Sequence, residues 1–234
     1  MKIAIMQPYF MPYIGYFQLI KQADVFVIYD EIEYTKKGWI NRNRILSKDS
    51  DQLISLPLSK DSDFLFINQR FLSNTWQFDK IKLLNKIKET YRKAPFYDDV
   101  IFKVEDILNF NDKNLFNFIK NSLLKILDYF EINTKIVQSS QIEFDNSLKN
   151  QDKVIAICKA LNANTYINPI GGLELYQKKI FKSNSIELQF IKTSSFEYKQ
   201  FDQFFVPFLS IIDIMMFNSI ENIKKYITQE FQIL

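Results

Sequence analysis

The sequence has no histidine among its 234 residues and only one cysteine, Cys158. Without histidine, the chain lacks the most common general base near neutral pH and the most common zinc ligand. A single cysteine cannot form an internal disulfide and has no partner for a zinc site. We therefore expect no metal site, and we expect carboxylates, tyrosines or the substrate itself to transfer protons.

Long hydrophobic runs are missing as well, since no stretch of 18 apolar residues occurs in the chain. A membrane span is therefore not expected. The apolar run that opens the chain stops at Gln7 and has no small-residue cleavage site after it, unlike a secretory signal peptide. Together these features predict a cytoplasmic protein.

Neither sign of charge dominates, because the chain has 30 lysines and arginines and 27 aspartates and glutamates, which gives a formal charge of +3. The basic residues are spread along the chain and form no stripe of the kind that DNA-binding proteins use. DNA is therefore not an expected partner, whereas a tRNA contact through a few lysines stays open. Hydrophobic residues make up 47% of the chain, which is enough for a buried core.

Strand-like and helix-like segments alternate along most of the chain. Residues 2–7 and 24–30 are short apolar runs typical of buried strands, and residues 13–23 carry apolar side chains at helical spacing. This order has the size of a βαβ unit, whose right-handed crossover makes the two strands parallel. Further strands are predicted at residues 43–46, 53–58, 64–72, 134–137, 165–168 and 187–191, and further helices at 76–91, 96–110, 112–129, 152–161, 173–183, 209–217 and 220–227.

The alternation predicts an α/β fold with a mostly parallel, doubly wound sheet. Residues 1–234 are expected to form a single α/β domain, in which the helix-rich residues 73–130 are an insertion or lid beside the sheet. In open parallel sheets, ligands bind beyond the carboxyl ends of the strands. The residues that follow each strand are therefore the first candidates for a functional site.

The first candidate group follows the first predicted strand. Gln7, Tyr9, Tyr13 and Tyr16 lie where this strand ends and the first helix begins. Backbone N–H groups at such a place favour anions such as phosphate, and the side chains offer ring faces and hydrogen bonds. The alternative is that the aromatic residues simply pack in the core and the loop.

Tyr13-Ile14-Gly15-Tyr16 resembles the His-Ile-Gly-His motif of nucleotidylyltransferase-like enzymes and has a similar setting, after a first strand. The resemblance implies a nucleotidylyltransferase-like or Rossmann-like sheet and places Tyr13 and Tyr16 among the catalytic candidates. In those enzymes the two histidines stabilise charge on nucleotide phosphates. Tyrosine is neutral near pH 7, so it can donate a hydrogen bond to phosphate but supplies no positive charge.

A second candidate group consists of Trp39, Asn41, Arg42, Asn43 and Arg44. The chain has four arginines, and the two in this group share one face of a predicted strand. Guanidinium groups bind carboxylate or phosphate in bidentate fashion, and an indole stacks on a base or sugar ring. The alternative is a solvated edge strand whose charges protect it from aggregation.

A third candidate group consists of Asn168, Gly171, Gly172 and Glu174, at a predicted turn from strand to helix. The chain has only four glycines, so we expect this pair to be placed by geometry, with positive φ or a close approach to a ligand. Glu174 is either an acid that caps the following helix or a general base.

Two aspartates and one loop complete the candidates. Asp30 ends the second predicted strand and is a candidate for proton transfer. Asp213 lies in an apolar run, where an acid is rarely left unpaired. It either pairs with Arg42 or Arg44 or is catalytic with a raised pKa. Residues 192–195 resemble the second phosphate-contacting loop of nucleotidylyltransferases, over four residues only.

Residues 6–20, 38–45, 168–176 and 209–218, taken in order, resemble the sequence blocks of the WbqC-like family. Leu173 is a departure, because a polar or basic residue is expected there in many relatives. The resemblance implies an association with the biosynthesis of O-antigen and other surface polysaccharides, and with the modification of sugars. It implies no particular reaction.

The leading hypothesis is an enzyme that transfers an acyl or aminoacyl group to a nucleotide-linked amino sugar. Its donor is either a preformed activated acyl group, carried by aminoacyl-tRNA or an acyl carrier, or an acyl-adenylate made from ATP with magnesium. A homo-oligomer stays open. On this hypothesis, Trp39, Tyr13 and Gly171 meet at one rim around an anionic small molecule.

Two other classes of function remain as alternatives. One is a glycosyltransferase, although Asp61-Ser62-Asp63 falls in a polar loop and is no clear metal-binding motif. The other is a non-catalytic module that binds a sugar nucleotide or a partner protein of the same pathway.

Overall fold

The computed structural model describes residues 1–48, 50–62, 64–202 and 204–234. Its strands and helices follow one another along the chain with short connections, apart from irregular stretches before α2 and after β7. In chain order they are β1 (Lys2–Met6), α1 (Ile14–Gln22), β2 (Val25–Ile28), β3 (Arg42–Ser47), β4 (Ser50–Ser55), α2 (Trp76–Tyr91), α3 (Tyr97–Leu108), α4 (Leu115–Tyr129), β5 (Lys135–Gln138), α5 (Asn150–Ala160), β6 (Thr165–Pro169), α6 (Lys178–Ser183), β7 (Glu187–Thr193), α7 (Ile211–Phe217), α8 (Ile220–Gln229) and β8 (Phe231–Ile233).

A six-stranded sheet with the strand order β5-β2-β1-β6-β7-β8 forms the centre of the molecule. The first five of these strands are parallel to their neighbours, whereas β8 pairs antiparallel with β7. The predicted α/β fold with a mostly parallel sheet is therefore confirmed.

Helices cover both faces of this sheet because successive residues of a strand point to opposite sides. On β1, Ala4 packs in a hydrophobic cluster with α1, whereas Ile3 and Ile5 pack in a second cluster with α5 and α6. The crossover from β1 to β2 thus lies on one face, and the crossovers through α5 and α6 lie on the other. The loops that leave β1 and β6 consequently diverge, and the edge between these two strands is the switch point of the sheet.

The strands predicted at residues 43–46 and 53–58 overlap β3 and β4, which form a separate antiparallel hairpin outside the main sheet. Two other predictions from the sequence are corrected by the structure. Residues 64–72 form no strand; they contain a short 3₁₀ turn at Ile67–Gln69 and isolated bridges. The helix predicted at residues 173–183 is split, because a 3₁₀ stretch, Ile170–Leu175, precedes the short helix α6.

Helices α2, α3 and α4 lie on the side of the sheet that carries α1. Their buried side chains, including Ile87, Val104 and Phe118, belong to the same hydrophobic cluster as α1. One continuous core therefore joins these helices to that face of the sheet. The division into a single α/β domain with residues 73–130 as an insertion or lid stays a prediction. None of the helices in the described ranges combines the length and apolar character that a bilayer crossing requires.

Candidate functional site

A cleft of about 880 Å³ opens where the loops after β1 and β6 diverge, and we call it the switch-point cleft. The N-terminal turn of α5 and the loop after β2 complete its wall. Its polar and aromatic lining consists of Gln7, Tyr9, Tyr29, Glu31, Asn150, Gln151, Lys153, Asn168, Glu174, Tyr176 and Gln177, together with Gly171 and Gly172. Two of the three candidate groups from the sequence thus contribute to one cavity.

The loop after β1 is held in place by Tyr16. The Tyr16 hydroxyl donates a hydrogen bond of 2.8 Å to the carbonyl oxygen of Gln7, and its ring lies 5.7 Å from that of Tyr9. Tyr16 is buried, and this burial, aided by nearby Tyr9, raises its pKa well above the ordinary value. Tyr16 therefore supports Gln7 and Tyr9 from behind, while those two residues line the cleft.

The loop after β6 depends on a close fit between Asn168 and Gly172. The Tyr166 hydroxyl donates to Asn168 Oδ1 at 3.0 Å, and Asn168 Nδ2 donates to the Pro169 carbonyl at 2.9 Å. A Cβ atom at position 172 would lie far inside van der Waals contact with Asn168 Nδ2. A Cβ atom at position 171 would meet nothing within 4 Å, so Gly171 faces open space.

Of the two reasons expected for the glycines, the positive φ is wrong, whereas a close approach is found at Gly172. None of the four glycines, all of which lie in described ranges, has a positive φ. The backbone at Gly171 does not have the positive φ that β-branched residues avoid, and no atom lies within 4 Å of where a Cβ would be. A substitution such as Gly171→Val therefore meets neither backbone strain nor a clash at its Cβ. Glycine at position 172 is instead required by the side chain of Asn168.

The charged groups of the cleft are of both signs. Lys153 Nζ lies 5.8 Å from the ring centroid of Tyr29 and 5.5 Å from that of Phe144. Glu31 and Glu174 stand on the rim, and Glu174 is exposed in the 3₁₀ stretch before α6. The first turn of α6 contains no acid, so Glu174 does not cap that helix. The cleft can thus bind an anionic group near Lys153 and a cationic group near the carboxylates.

Asp30 is 2% exposed and holds together the loops after β2 and β5. Its carboxylate accepts hydrogen bonds from the Ser139 hydroxyl at 2.8 Å and from the Ser140 backbone and hydroxyl at 2.9 and 2.5 Å. Burial raises the pKa of Asp30, but the hydrogen bonds from Ser140 and Ser139 outweigh it, so the pKa lies below its ordinary value. This environment explains Asp30 as a structural carboxylate, and its catalytic role stays a prediction.

The loop between Pro8 and Tyr13 is anchored by side chains from distant parts of the chain. Asn43 Nδ2 donates to the carbonyl oxygens of Phe10 and Met11 at 3.2 and 2.8 Å. The Ser210 hydroxyl donates to the same Met11 oxygen at 2.7 Å. Met11 has a φ of 43°, a strained value for a residue with a side chain. These two donors explain how the strained turn persists.

Asn41 has a similar structural role one residue before β3. Its Nδ2 donates to the Leu56 carbonyl at 2.7 Å, and its Oδ1 accepts from the Tyr34 hydroxyl at 2.9 Å. Asn41 and Asn43 are both buried. Ligand contact by these two residues, as predicted from the sequence, stays a prediction.

Trp39, Arg42 and Arg44 form a separate cluster on the β3 hairpin. The two guanidinium carbons lie 5.7 and 5.6 Å from the indole centroid. Arg42 donates to the carbonyl oxygens of Lys37 and Gly38, and Arg44 lies 3.6 Å from the Asp51 carboxylate. No residue of this cluster lines the switch-point cleft among the described residues.

A second cavity, of about 540 Å³, lies beyond the carboxyl end of β7, and we call it the aromatic pocket. Its lining comprises Tyr13, Ile14, Phe196, Tyr198, Phe205, Pro207, Phe208, Leu209 and Ile214, with Lys192, Thr193, Ser194, Ser195, Glu197 and Gln232 among its polar groups. Tyr13 therefore lies in a different cavity from Tyr9, and the ring of Phe208 packs edge-on against it at 6.2 Å. Trp39 lines neither cavity, so the expected common rim of Trp39, Tyr13 and Gly171 does not form in the described structure.

Asp213 supports one wall of the aromatic pocket. It is fully buried and accepts hydrogen bonds from the hydroxyls of Tyr91 and Tyr198 at 2.8 and 2.6 Å and from Gln200 Nε2 at 2.7 Å. Burial raises the pKa of Asp213, although these hydrogen bonds oppose it. The expected ion pair with Arg42 or Arg44 is corrected, because the partners of Asp213 are two phenols and an amide.

Several cleft residues were not identified from the sequence, namely Tyr29, Glu31, Lys153 and Tyr176. Glu31 follows Asp30 directly beyond a predicted strand, so the rule used for the other candidates applies to it too. Lys153 gave no such signal, because it lies inside a predicted helix. Within the described ranges no three acidic or cysteine residues are close enough to hold a metal ion. Asp61 and Ser62 are exposed, while Asp63 lies outside the described residues.

The fold and the cleft define an α/β protein whose candidate ligand site lies at the switch point of a parallel sheet. The chain belongs to the WbqC-like protein family, which matches residues 7–225. It is 27% identical over 218 residues to the uncharacterized protein Rv1507c of Mycobacterium tuberculosis, and the match covers 92% of each chain. No solved structure matches the chain.

Proposed function

We propose that this protein is an enzyme of surface-polysaccharide biosynthesis that transfers an acyl or aminoacyl group to a nucleotide-linked amino sugar in the switch-point cleft. The position of the cleft between β1 and β6 carries the proposal. Counted along the chain, the five parallel strands are arranged third, second, first, fourth and fifth, the order of dinucleotide-binding Rossmann folds. The polysaccharide setting is what the WbqC-like family resemblance implies.

The contents of the cleft fit the two ends of such a substrate. Its volume lies within the range of small-molecule sites, and the rings of Tyr9 and Tyr29 offer faces on which a base can stack. Lys153 offers an ammonium group to the diphosphate. Glu31 and Glu174 offer carboxylates to the ammonium group of an amino sugar, a reason to favour that class over neutral sugars.

The proposed step has a simple balance of atoms. The ammonium group of the sugar first loses one proton to water. The neutral amine nitrogen then attacks the carbonyl carbon of an activated acyl ester, thioester or acyl-adenylate, and a C–N bond forms. The C–O or C–S bond to the carrier breaks, and the leaving group takes its electron pair. Glu174 accepts the proton that the amine loses and returns it to the leaving group or to water. Positioning of the two reactants supplies most of the acceleration.

A preformed donor suits this site better than synthesis of an adenylate from ATP and magnesium. The positions that resemble the paired histidines of nucleotidylyltransferases are Tyr13, in the aromatic pocket, and Tyr16, which is buried behind the cleft. Neither phenol supplies positive charge to phosphates.

Calorimetric titration with UDP- and dTDP-linked amino sugars tests the proposal, with ATP and magnesium as a comparison. We expect the amino-sugar nucleotides to bind, and we expect Gly171→Trp, whose new side chain enters the cleft, to weaken this binding by about tenfold or more. Ser195→Trp, on the rim of the aromatic pocket, is the matched control and should retain nucleotide binding. Glu174→Gln should bind the amino-sugar nucleotides more weakly, with the Glu31 carboxylate retained, and should lower the rate of transfer further than the affinity.

Mass spectrometry of the incubated nucleotide sugar separates the classes of function. An added acyl or aminoacyl mass supports the proposal. Release of the free nucleoside diphosphate with loss of the sugar would instead indicate a glycosyltransferase. Binding without any product, with all three donor types supplied, would indicate a non-catalytic module.

A further inference from the structure

We infer that the aromatic pocket binds an α-amino acid with an apolar side chain, as the aminoacyl group that the enzyme transfers. The binding claim stands on the pocket alone, whereas the transfer rests on the proposed function. Of the two kinds of donor considered above, the inference favours an aminoacyl donor over a simple acyl donor. The inference depends on the lining of the pocket, the charges at its mouth, the construction of its wall and its distance from the switch-point cleft.

The interior of the pocket is suited to a compact apolar group. Five aromatic rings and several aliphatic side chains form most of its surface. Its volume of about 540 Å³ is smaller than that of the switch-point cleft and lies in the range of small-molecule sites. Burial of a phenylalanine or leucine side chain there would provide most of the binding free energy.

The mouth of the pocket carries one cation and one anion that are not paired with each other. Lys192 and Glu197 both line it and both are exposed. Across the described ranges, neither side chain makes a hydrogen bond or ion pair, and the Ser194 and Ser195 hydroxyls make no hydrogen bond either. The ammonium group of an aminoacyl ester can pair with Glu197, while Lys192 contacts the ester carbonyl oxygen. A free α-amino acid presents the same ammonium group and, in place of the ester, a carboxylate, so it serves as a probe of both contacts.

One wall of the pocket is irregular in conformation and yet firmly held. Phe208, which lines the pocket, has a φ of 57°, and Phe201, which lies outside the lining, has a φ of 48°; both values are strained for aromatic residues. Gln200 accepts from the Val206 N–H at 2.7 Å and donates to the Val206 carbonyl at 3.1 Å, while Asp213 fixes Gln200 from behind. Strain that buried polar contacts hold in place is typical of preformed ligand sites.

The pocket and the switch-point cleft are linked by one short loop. Tyr9 lines the cleft and Tyr13 lines the pocket, and they are four residues apart. Four residues span at most about 14 Å even when fully extended. Transfer therefore requires the donor to reach from the pocket across the Pro8–Tyr13 loop into the cleft.

Calorimetry with free amino acids tests the inference on the full chain. We expect L-phenylalanine and L-leucine to bind about tenfold or more tightly than L-serine, since serine leaves the apolar interior empty. We also expect weaker binding of 3-phenylpropionate, which lacks the ammonium group, and of phenethylamine, which lacks the carboxylate. The inference would be overturned if L-serine bound as tightly as L-phenylalanine. It would also be overturned if 3-phenylpropionate and phenethylamine both bound as tightly as L-phenylalanine.

Variants locate the binding. Ser195→Trp should abolish L-phenylalanine binding, and Lys192→Met and Glu197→Gln should each weaken it about threefold. Glu143→Gln, an exposed acid outside the pocket, is the control for Glu197→Gln. Retention of wild-type affinity by Ser195→Trp in a folded protein would place the amino acid elsewhere and overturn the inference.

The two proposals fail in different ways. If amino-sugar nucleotides bind but L-phenylalanine does not, the inference on the aminoacyl group is wrong and the proposed function stands. If L-phenylalanine binds and no nucleotide sugar does, the claim that the pocket binds an amino acid stands, whereas the proposed function and the transfer step are wrong. Gly171→Trp should retain L-phenylalanine binding, because Gly171 lines only the cleft.

Discussion

The side-chain amide of Asn168 occupies the space in which a Cβ atom of residue 172 would stand. Asn168 is fixed there by Tyr166 and by the Pro169 carbonyl, so it cannot easily move aside. Gly171, the neighbouring residue, has open space where its Cβ would be. Gly172 thus has a steric reason for its presence, whereas neither sterics nor backbone conformation requires a glycine at position 171.

Gly172→Ala should therefore destabilise the protein, whereas Gly171→Ala should not. We expect a loss of about 1–3 kcal/mol in the free energy of unfolding for Gly172→Ala, because the new methyl group displaces the buried Asn168 amide. We expect a change below about 0.5 kcal/mol for Gly171→Ala. Urea unfolding measures both values, and equal effects of the two substitutions would contradict this account.

Gly15→Ala should move Tyr13 without unfolding the protein. A Cβ atom at position 15, in the first turn of α1, would overlap the phenol ring of Tyr13. The end of a tyrosine side chain can rotate away, and alanine favours a helix by roughly 0.5–1 kcal/mol over glycine. We expect a melting temperature within a few degrees of wild type but weaker L-phenylalanine binding in the aromatic pocket. Unchanged binding would show that the Tyr13 ring does not shape the pocket.

Asp213 should give the stability a distinctive pH dependence. Burial raises its pKa in the folded protein, so the folded state holds its proton at pH values where the unfolded state has lost it. The stability that this group contributes is complete below its unfolded pKa and is lost as the pH rises through the folded pKa. The stability of wild type relative to Asp213→Asn should therefore fall as the pH rises from about 4. Urea unfolding across this range measures the difference.

Asp30 serves as the opposite case for the same measurement. Its folded pKa is lowered, so the stability it contributes is present above its unfolded pKa and is lost as the pH falls through the folded pKa. The advantage of wild type over Asp30→Asn should therefore shrink below about pH 4. If both variants showed the same slope against pH, the two environments described here would not control these carboxylates.

Arg42→Ala and Arg44→Ala should affect the hairpin more than the cleft. Arg42 bonds two carbonyl oxygens of the preceding loop, and Arg44 pairs with Asp51, so we expect losses of about 0.5–1.5 kcal/mol in unfolding free energy. Nucleotide affinity should stay within about twofold, because neither residue lines the cleft. Asp51→Ala is the matched control for Arg44. A large loss of affinity with unchanged stability would restore the direct ligand contact expected from the sequence.

The sequence allowed prediction of those parts of the fold that repeat a regular pattern. Helix α2 was predicted at its observed bounds, because its apolar spacing is helical throughout. Strand β8 was missed, since three residues are too few to show an alternating pattern. The sequence also did not show that β3 and β4 pair only with each other. Alternation of apolar and polar residues identifies a strand but not the strand with which it pairs.

The candidate site was predictable where the rule on strand ends applies, and not elsewhere. Gln7, Tyr9, Asn168 and Gly171 lie at or just after the ends of strands and do line one cavity. The buried roles of Asn43 and Asp213 depend on contacts between segments far apart in sequence. No local pattern reports which distant carbonyl or phenol an asparagine or aspartate will meet.

The pairing of β8 with β7 has a consequence for the edge of the sheet. Phe190 on β7 exchanges two backbone hydrogen bonds with Leu234, at 3.0 and 2.9 Å. Without this pairing β7 would be an uncovered sheet edge, which favours association with other chains. The strand that leads into the aromatic pocket thus depends on a four-residue segment, residues 231–234, to shield its outer side.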